Sequence, residues 1–590
     1  MDGTPVVLRL RASDEDRAAV QRDVADLTAR RFSERLWARD ATLWKHDEAH
    51  RRIIEKALGW LSVPAEVRDQ VGALAEMADE VRVDGIRHVV VLGMGGSSLA
   101  AEVLSRVFGS RDGYPDLRIL DSTDPDAVLA VERELDLSET LFLVASKSGG
   151  TTETASFHAY FWRLMQRHSG DRAGRHFIAI TDEHTSLHED ALAQGFRAVF
   201  INPADIGGRY SALSFFGMVP AALMGLDLAR LLDDALVVAD ACGQTVPCEQ
   251  APAVMLGACI GGLARRGKDK LTLVATRSLA PFGGWVEQLV AESTGKEGVG
   301  VLPVDLEPLG APDRYGGDRL FVHLRLEDDE ADEAAALCAA VEGLEAAGAP
   351  VVTVSLPNRW SLGGQFLLWE IATAAAGVLL GIDPFDQPNV QESKDNTRRL
   401  LDHYNETGEL PQLGVVPIDH RGQAASAFVS RVAALDGQER LAEALRNLLS
   451  TVRAGDYVCL QAWLAPSAGV WTALDAARRL LRDRLRVATT VGYGPRYLHS
   501  TGQYHKGGPN TGVFLQLVSR SGSDARIPGQ LYPFSVLKQA QADGDLESLR
   551  AHGRRVLRVD LGTNVAGALD AVVRALQNVV GPATATAGAD

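Results

Sequence analysis

Cysteine is scarce in this chain: five residues in 590 (Cys242, Cys248, Cys259, Cys338 and Cys459), with no two in a CxxC pair. That excludes a disulfide framework and a cysteine zinc site, and it fits reduced thiols in a cytosolic protein. Positive charge is also in short supply, with 60 Lys and Arg against 77 Asp and Glu and a net charge of −17. Nucleic acid and an anionic membrane surface are excluded as main partners. An anionic small molecule is not, because its site needs only a local cluster of positive groups. No secretory signal opens the chain, since MDGTPVVLRLRASDEDR carries charges where an apolar core would stand. No uninterrupted apolar run reaches membrane-spanning length; the stretch 371–382 is about half of what is needed. The expectation is a soluble cytoplasmic enzyme or binding protein.

What is present points to several αβ domains. The length suggests roughly three or four, and the 46% hydrophobic and 23% charged content is ordinary for a globular protein. Residues 1–85 read as a helical, charged segment whose apolar face runs through Trp37, Leu43, Trp44 and Trp60. Packing or docking is the role expected of it. Then, in Leu141–Thr154 (LFLVASKSGGTTET), an apolar strand meets a turn of hydroxyls and glycines, and a helical pattern follows. A strand, polar turn and helix N-terminus present unpaired backbone N–H groups and a positive dipole end to an anion. Ser146, Ser148 and Thr151 add hydroxyl donors and Lys147 adds charge, so a phosphate monoester is the ligand expected; a turn that merely caps its helix is the alternative. HVVVLGMGGSSLAAEVL, from His88, repeats the arrangement with Gly96 and Ser97 in the turn. A dinucleotide fold is the rival there, but the full three-glycine spacing is missing. Further strands at 117–120, 176–180 and 198–201 continue the alternation, which predicts a doubly wound parallel sheet.

Three more strings carry chemistry. GGRYS places Arg209 at the mouth of an apolar helix, either as an ion-pair partner or as a functional cation. AESTGK places Glu292 at the end of a packed helix, where a partly desolvated carboxylate suits a general base. FDQPNVQESK ends at Lys394. Beyond it, Tyr457–Trp463, Trp471–Leu485 and Ala488–Val491 parallel Leu320–Leu326, Ala334–Ala347 and Val351–Ser355, with STGQ standing where LGGQ stood. The domains predicted are 86–268, 269–410 and a smaller αβ unit at 420–580 that repeats part of the second. The last residues are small and polar and read as a disordered tail. HSTGQYHKGG, with His499 and His505, offers an imidazole for acid–base work near neutral pH.

The ordered set GMGGSS, SKSGGTTET, GGRYS, ESTGK and FDQPNVQESK covers about residues 90–395 and resembles the glucose-6-phosphate isomerase family of sugar isomerase (SIS) domains. Thr294 replaces the asparagine of the family's ESNGK. With LWARDATLW and GPRYLHSTGQ included, the wording is most similar to the isomerase portion of fused transaldolase–isomerase proteins. A transaldolase barrel needs about 250 residues, which the first 85 cannot hold, so isomerase activity alone is expected. The resemblance implies an α/β fold with two SIS-type three-layer domains, and interconversion of glucose 6-phosphate and fructose 6-phosphate through a cis-enediol. It implies Glu292 as the proton shuttle, Arg209 beside the developing oxyanion, and Lys394 with a histidine for ring opening. Gly96, Ser97, Ser146, Lys147, Ser148, Thr151, Glu153 and His499 would bind substrate. No metal or redox cofactor is implied. GQYH, ending at His505, resembles the family's GQH string but follows the lysine instead of preceding it. His505 is assigned to ring opening, with His499 and His323 as alternatives. In the family a neighbouring subunit often supplies this residue, which admits a homodimer. A non-catalytic sugar-phosphate sensor is the rival from another class, and a dual phosphoglucose/phosphomannose isomerase is the narrower one.

Overall fold

The computed structural model describes residues 7–411, 429–433 and 438–581; the tail reading falls outside them. Strand β1 (Val7–Arg11) is the first described element, a departure from the helical N-terminal segment expected, and helices follow, the first of them Asp14–Ala29. Its five residues alternate in exposure, and it pairs antiparallel with a strand more than three hundred positions later. So short a strand gives no periodic signal by itself and takes its structure from the sheet edge it joins.

The first sheet contains β2 (His88–Gly93), β3 (Asp116–Leu120), β4 (Thr140–Ala145), β5 (Phe177–Thr181) and β6 (Ala198–Ile201), in the order β3-β2-β4-β5-β6 and all parallel. Every residue of β4 is buried, as its unbroken apolar run requires when helices cover both faces. The second sheet, β7 (Lys270–Ala275), β8 (Leu302–Val304), β9 (Arg319–Leu326) and β10 (Val351–Leu356), takes the order β8-β7-β9-β10-β1. The third, β11 (Val429–Ala433), β12 (Tyr457–Trp463), β13 (Ala488–Tyr493), β14 (Gly512–Val518) and β15 (Arg555–Asp560), takes the order β13-β12-β14-β15-β11.

With the edge strands β1 and β11 set aside, all three sheets share one winding: the second strand lies outside the first, and the third lies on its other side. This corrects the register of the internal repeat. β12 occupies the place of β7, not of β9, so LGGQ opens the helix after the fourth strand while STGQ follows the second. The pattern strand–helix–strand is the same in every βαβ unit, and periodicity alone cannot count which unit it is in.

The helix Leu362–Leu380 is the central pillar of the core. With the turn before it, it is long and apolar enough to cross a membrane by composition, yet its apolar window lies wholly inside the protein. Phe366 meets Trp285 edge to face at 4.8 Å, which fixes the helix Phe282–Thr294 against it. That helix carries Glu292 in its last turn.

Candidate functional site

In a doubly wound sheet the ligand crevice lies at the carboxyl ends of the strands, where the winding reverses. In the first sheet that point falls between β2 and β4, and both strands end in the glycine turns read from the sequence. After β4 the helix Thr152–Ser169 begins at once, with Thr151 at its cap. Its first turn therefore faces the crevice with backbone N–H groups that have no partner within the helix. Ser146 Oγ donates to Thr151 Oγ1 at 3.1 Å, Ser148 Oγ accepts from the Gly150 amide at 3.4 Å, and Gly149 turns the chain at φ +65°. Lys147 departs from expectation. Its Nζ lies 2.5 Å from Asp182 Oδ2 and 3.0 Å from the Ala204 carbonyl, so it braces the loop against the end of β5 and its charge is already paired. In the turn after β2, a Cβ on Gly96 would stand 2.0 Å from the Gly208 carbonyl, so only glycine lets the GMGGSS and GGRYS turns meet. Ser97 is half-buried beside it.

Arg209 is 2% exposed and every guanidinium nitrogen is engaged. Nε donates to Ser293 Oγ at 2.7 Å, Nη1 to Gln387 Oε1 at 2.8 Å, and Nη2 to the carbonyls of Pro384 and Asp386 at 2.7 and 2.9 Å. Nη1 also stands 3.4 Å from Glu292 Oε1. The other Glu292 oxygen accepts from Gln288 Nε2 at 3.1 Å, and the same amide donates to the His499 carbonyl at 2.8 Å. Glu292 is thus a buried carboxylate held between a fixed cation and an amide. Lys296, the lysine of ESTGK, is buried behind it and donates to the carbonyls of Asp383 and Asp386. Burial, helped by Arg209, pushes its pKa down to about 8 even though Asp386 opposes the shift. Arg209 and Lys296 together fasten the FDQP turn to the base.

The histidines are where sequence and structure part most clearly. His505 is 1% exposed, lies 3.8 Å from Cys459 Sγ, and packs on Phe514 and Tyr497. Burial drives its basicity far below the usual imidazole range, with Lys506 and Arg554 adding to the effect. It belongs to the core of the third unit. His323 is buried in β9, and its pKa is pushed down to about 4 by burial, Arg325 and Arg9. His499, from the turn after β13, is the histidine that reaches the crevice. Its Nε2 lies 2.9 Å from Glu153 Oε1, and its backbone packs beside Gly95 and Gln288. Burial pushes the Glu153 carboxyl up, but His499, a hydrogen bond from its own backbone amide and, more weakly, Lys394 outweigh that and hold it below the usual carboxylate range. Lys394 stands on the exposed face of the helix Pro388–Thr407, close enough for its charge to act on Glu153.

Sequence reading missed Gln288, Gln387, Lys296, Arg496 and Gln541. Gln387 sits inside the FDQ string and Gln288 one turn before Glu292 on the same helix face, so spacing alone was enough to find those two. Arg496 pairs with Glu102 and with Asp121 at 3.1 Å, joining the His499 turn to the first sheet across a sequence gap no local pattern signals.

The family model for phosphoglucose isomerase matches residues 65–302. The glucose-6-phosphate isomerase of Symbiobacterium thermophilum is 31% identical over 407 residues, covering 60% of this chain and 90% of that protein. The glucose-6-phosphate isomerase of Thermus thermophilus is 30% identical over 409 residues, covering 60% and 94%. Among solved structures, a hypothetical protein from Thermus thermophilus superposes with a TM-score of 0.57 at 26% identity, covering 67% of this chain and 99% of that one. A glucose-6-phosphate isomerase from Chlamydia trachomatis, at 19% identity and a TM-score of 0.50, covers 66% and 85% and shares the fold. Similarity at 31% identity, sustained over nine tenths of a relative's length, assigns this chain to the glucose-6-phosphate isomerase family.

Proposed function

We propose that this chain interconverts D-glucose 6-phosphate and D-fructose 6-phosphate by proton transfer between C1 and C2. The observation that carries the reading is the buried pair Glu292–Arg209, set at the crevice between two glycine turns built for a phosphate. The phosphate monoester lies against the Ser146–Thr151 turn and the start of its helix, with Gly96 and Ser97 closing the other side. His499, oriented by the Glu153 carboxylate, donates a proton to the ring oxygen while the C1 hydroxyl gives its proton to solvent, and the C1–O5 bond breaks to leave the open-chain aldehyde. Lys394 adds positive charge beside that pair. Glu292 removes the proton from C2 and returns it to C1, and the reverse reaction retraces these steps. Arg209, already fixed by four hydrogen-bond acceptors and by the Glu292 carboxylate, meets the negative charge that develops on the enediolate oxygen through its fixed positive field. The presence of Glu292, Arg209 and the His499–Glu153 pair in one crevice favours catalysis over a sensor, which needs the phosphate turns alone. Five cysteines without a disulfide support a reducing, cytoplasmic setting.

Glu292→Gln tests the reading. It keeps the shape and the hydrogen bond to Gln288 but removes the base. Turnover should fall by at least ~10²–10⁴-fold, solvent deuterium should no longer enter C2, and 6-phosphogluconate should still bind. Near wild-type isomerisation and exchange would place the base elsewhere. An assay with mannose 6-phosphate, run alongside, decides between one epimer and two.

A further inference from the structure

The helix Phe534–Ala551 of the third unit faces the crevice with one side chain that the reaction above leaves without a role. Gln541 is 3% exposed and lies between two turns of the first sheet. Its Nε2 donates to Glu153 Oε1 at 2.7 Å, the same oxygen that His499 Nε2 meets at 2.9 Å. Its Oε1 accepts from Thr123 Oγ1 at 2.7 Å. The second bond fixes the first: with the carbonyl held by a hydroxyl, the amide can present only its N–H₂ to the carboxylate. Lys538, one turn earlier, donates to Asp124 Oδ2 at 2.9 Å and pins the helix to the same turn after β3. A buried carboxylate with a single partner can rotate; one held by two donors on one oxygen cannot do so without losing both.

We propose that Gln541 is a positioning residue for ring opening, locking the Glu153 carboxylate so that one oxygen stays aimed at His499. The proposal rests on the isomerase reading and adds to it an element beyond its signature strings. The charged groups facing Glu153 are His499, from the turn after β13, and Lys394, from the helix Pro388–Thr407. Gln541 itself is neutral, so it acts by geometry and by favouring the anion through a hydrogen bond.

Gln541→Met keeps the length and burial and removes the donor. With glucose 6-phosphate, turnover should fall by about tenfold or more while KM changes little. The acid limb of the pH profile should move to higher pH, because Glu153 loses a bond that favours its anion. In a Glu292→Gln background, where proton transfer at carbon is blocked, catalysed exchange between the two anomers of glucose 6-phosphate reads ring opening alone. Adding Gln541→Met should suppress that exchange. Should Gln541→Met fold poorly, Thr123→Val releases the same amide from its other end and should give the same pattern more weakly. If the wild type does not isomerise the sugar, the isomerase reading fails. If it does, and the variants keep its anomer exchange and acid limb, Gln541 has no such role and this inference alone falls.

Discussion

His499 and His505 are six residues apart and share one polar, glycine-rich string, yet their surroundings make them different groups. His505 faces Phe514, Tyr497 and Cys459 with its Nδ1 unpaired, an environment that admits only the neutral ring. His499 has a buried carboxylate opposite it. The expected outcome of His499→Ala is a loss of turnover on cyclic glucose 6-phosphate, with anomer exchange abolished. His505→Ala should instead cost stability, about 2–4 kcal/mol as a buried ring leaves a cavity, with the turnover of the remaining folded protein unchanged. Melting curves and active-site titration separate the two. If the phenotypes are reversed, the assignment of ring opening to His499 is wrong. Glu292, Arg209 and Glu153 each sit inside a dense local string, which is why they could be singled out from the sequence before the structure placed them at one crevice. The choice between two histidines was not, since it depends on which helices close over them.

At the scale of elements, the helix Leu362–Leu380 holds a carboxylate where hydrophobic packing would serve. Glu370 is 1% exposed, its Oε1 has no hydrogen-bond partner, and burial raises its pKa well above the ordinary 4.5. The folded protein therefore keeps a proton that the unfolded chain releases near 4.5. Its contribution is fully present below that pH and declines as pH rises toward the folded value, because the native state then binds more protons than the unfolded one. Glu370→Gln removes the titration. Its stability advantage over wild type should widen from pH 5 to pH 8, reaching roughly 1 kcal/mol or more. Denaturation curves at the two pH values check this, and a difference that stays constant would show that the fold does not raise the Glu370 pKa above its unfolded value. The same helix shows what element patterns reveal and hide. Strands β2, β4, β7, β9 and β10 were readable as apolar runs, and the alternation with helices gave the parallel sheets. β1, β8, β11 and β15 were missed because they are short or mixed, β14 because its apolar run follows a polar, glycine-rich string without a break, and the apolar helix Leu362–Leu380 looks the same in sequence whether its surroundings are protein or lipid.

At the scale of the whole molecule, the crevice collects side chains from all three sheets: Glu153 and Arg209 from the first, Glu292 from the second, His499 and Gln541 from the third. One chain holds all five. Mixing His499→Ala with Glu292→Gln protein should therefore restore no activity, and specific activity should be independent of dilution. Recovery in the mixture would mean that the histidine is exchanged between copies, as a homodimer of the family's kind would have it.

The bond between Lys538 and Asp124 joins positions 414 residues apart. A ribosome releases the first sheet long before it has made the helix that closes over it. Until residue 499 is made, the nascent chain has the two phosphate turns and Glu292 but neither His499 nor the Gln541 contact behind it. Termination before residue 499 removes both His499 and Gln541 while the phosphate turns and Glu292 are still encoded in what remains. His499 and Gln541 are the last of the crevice's side chains to leave the ribosome, more than two hundred positions after Glu292.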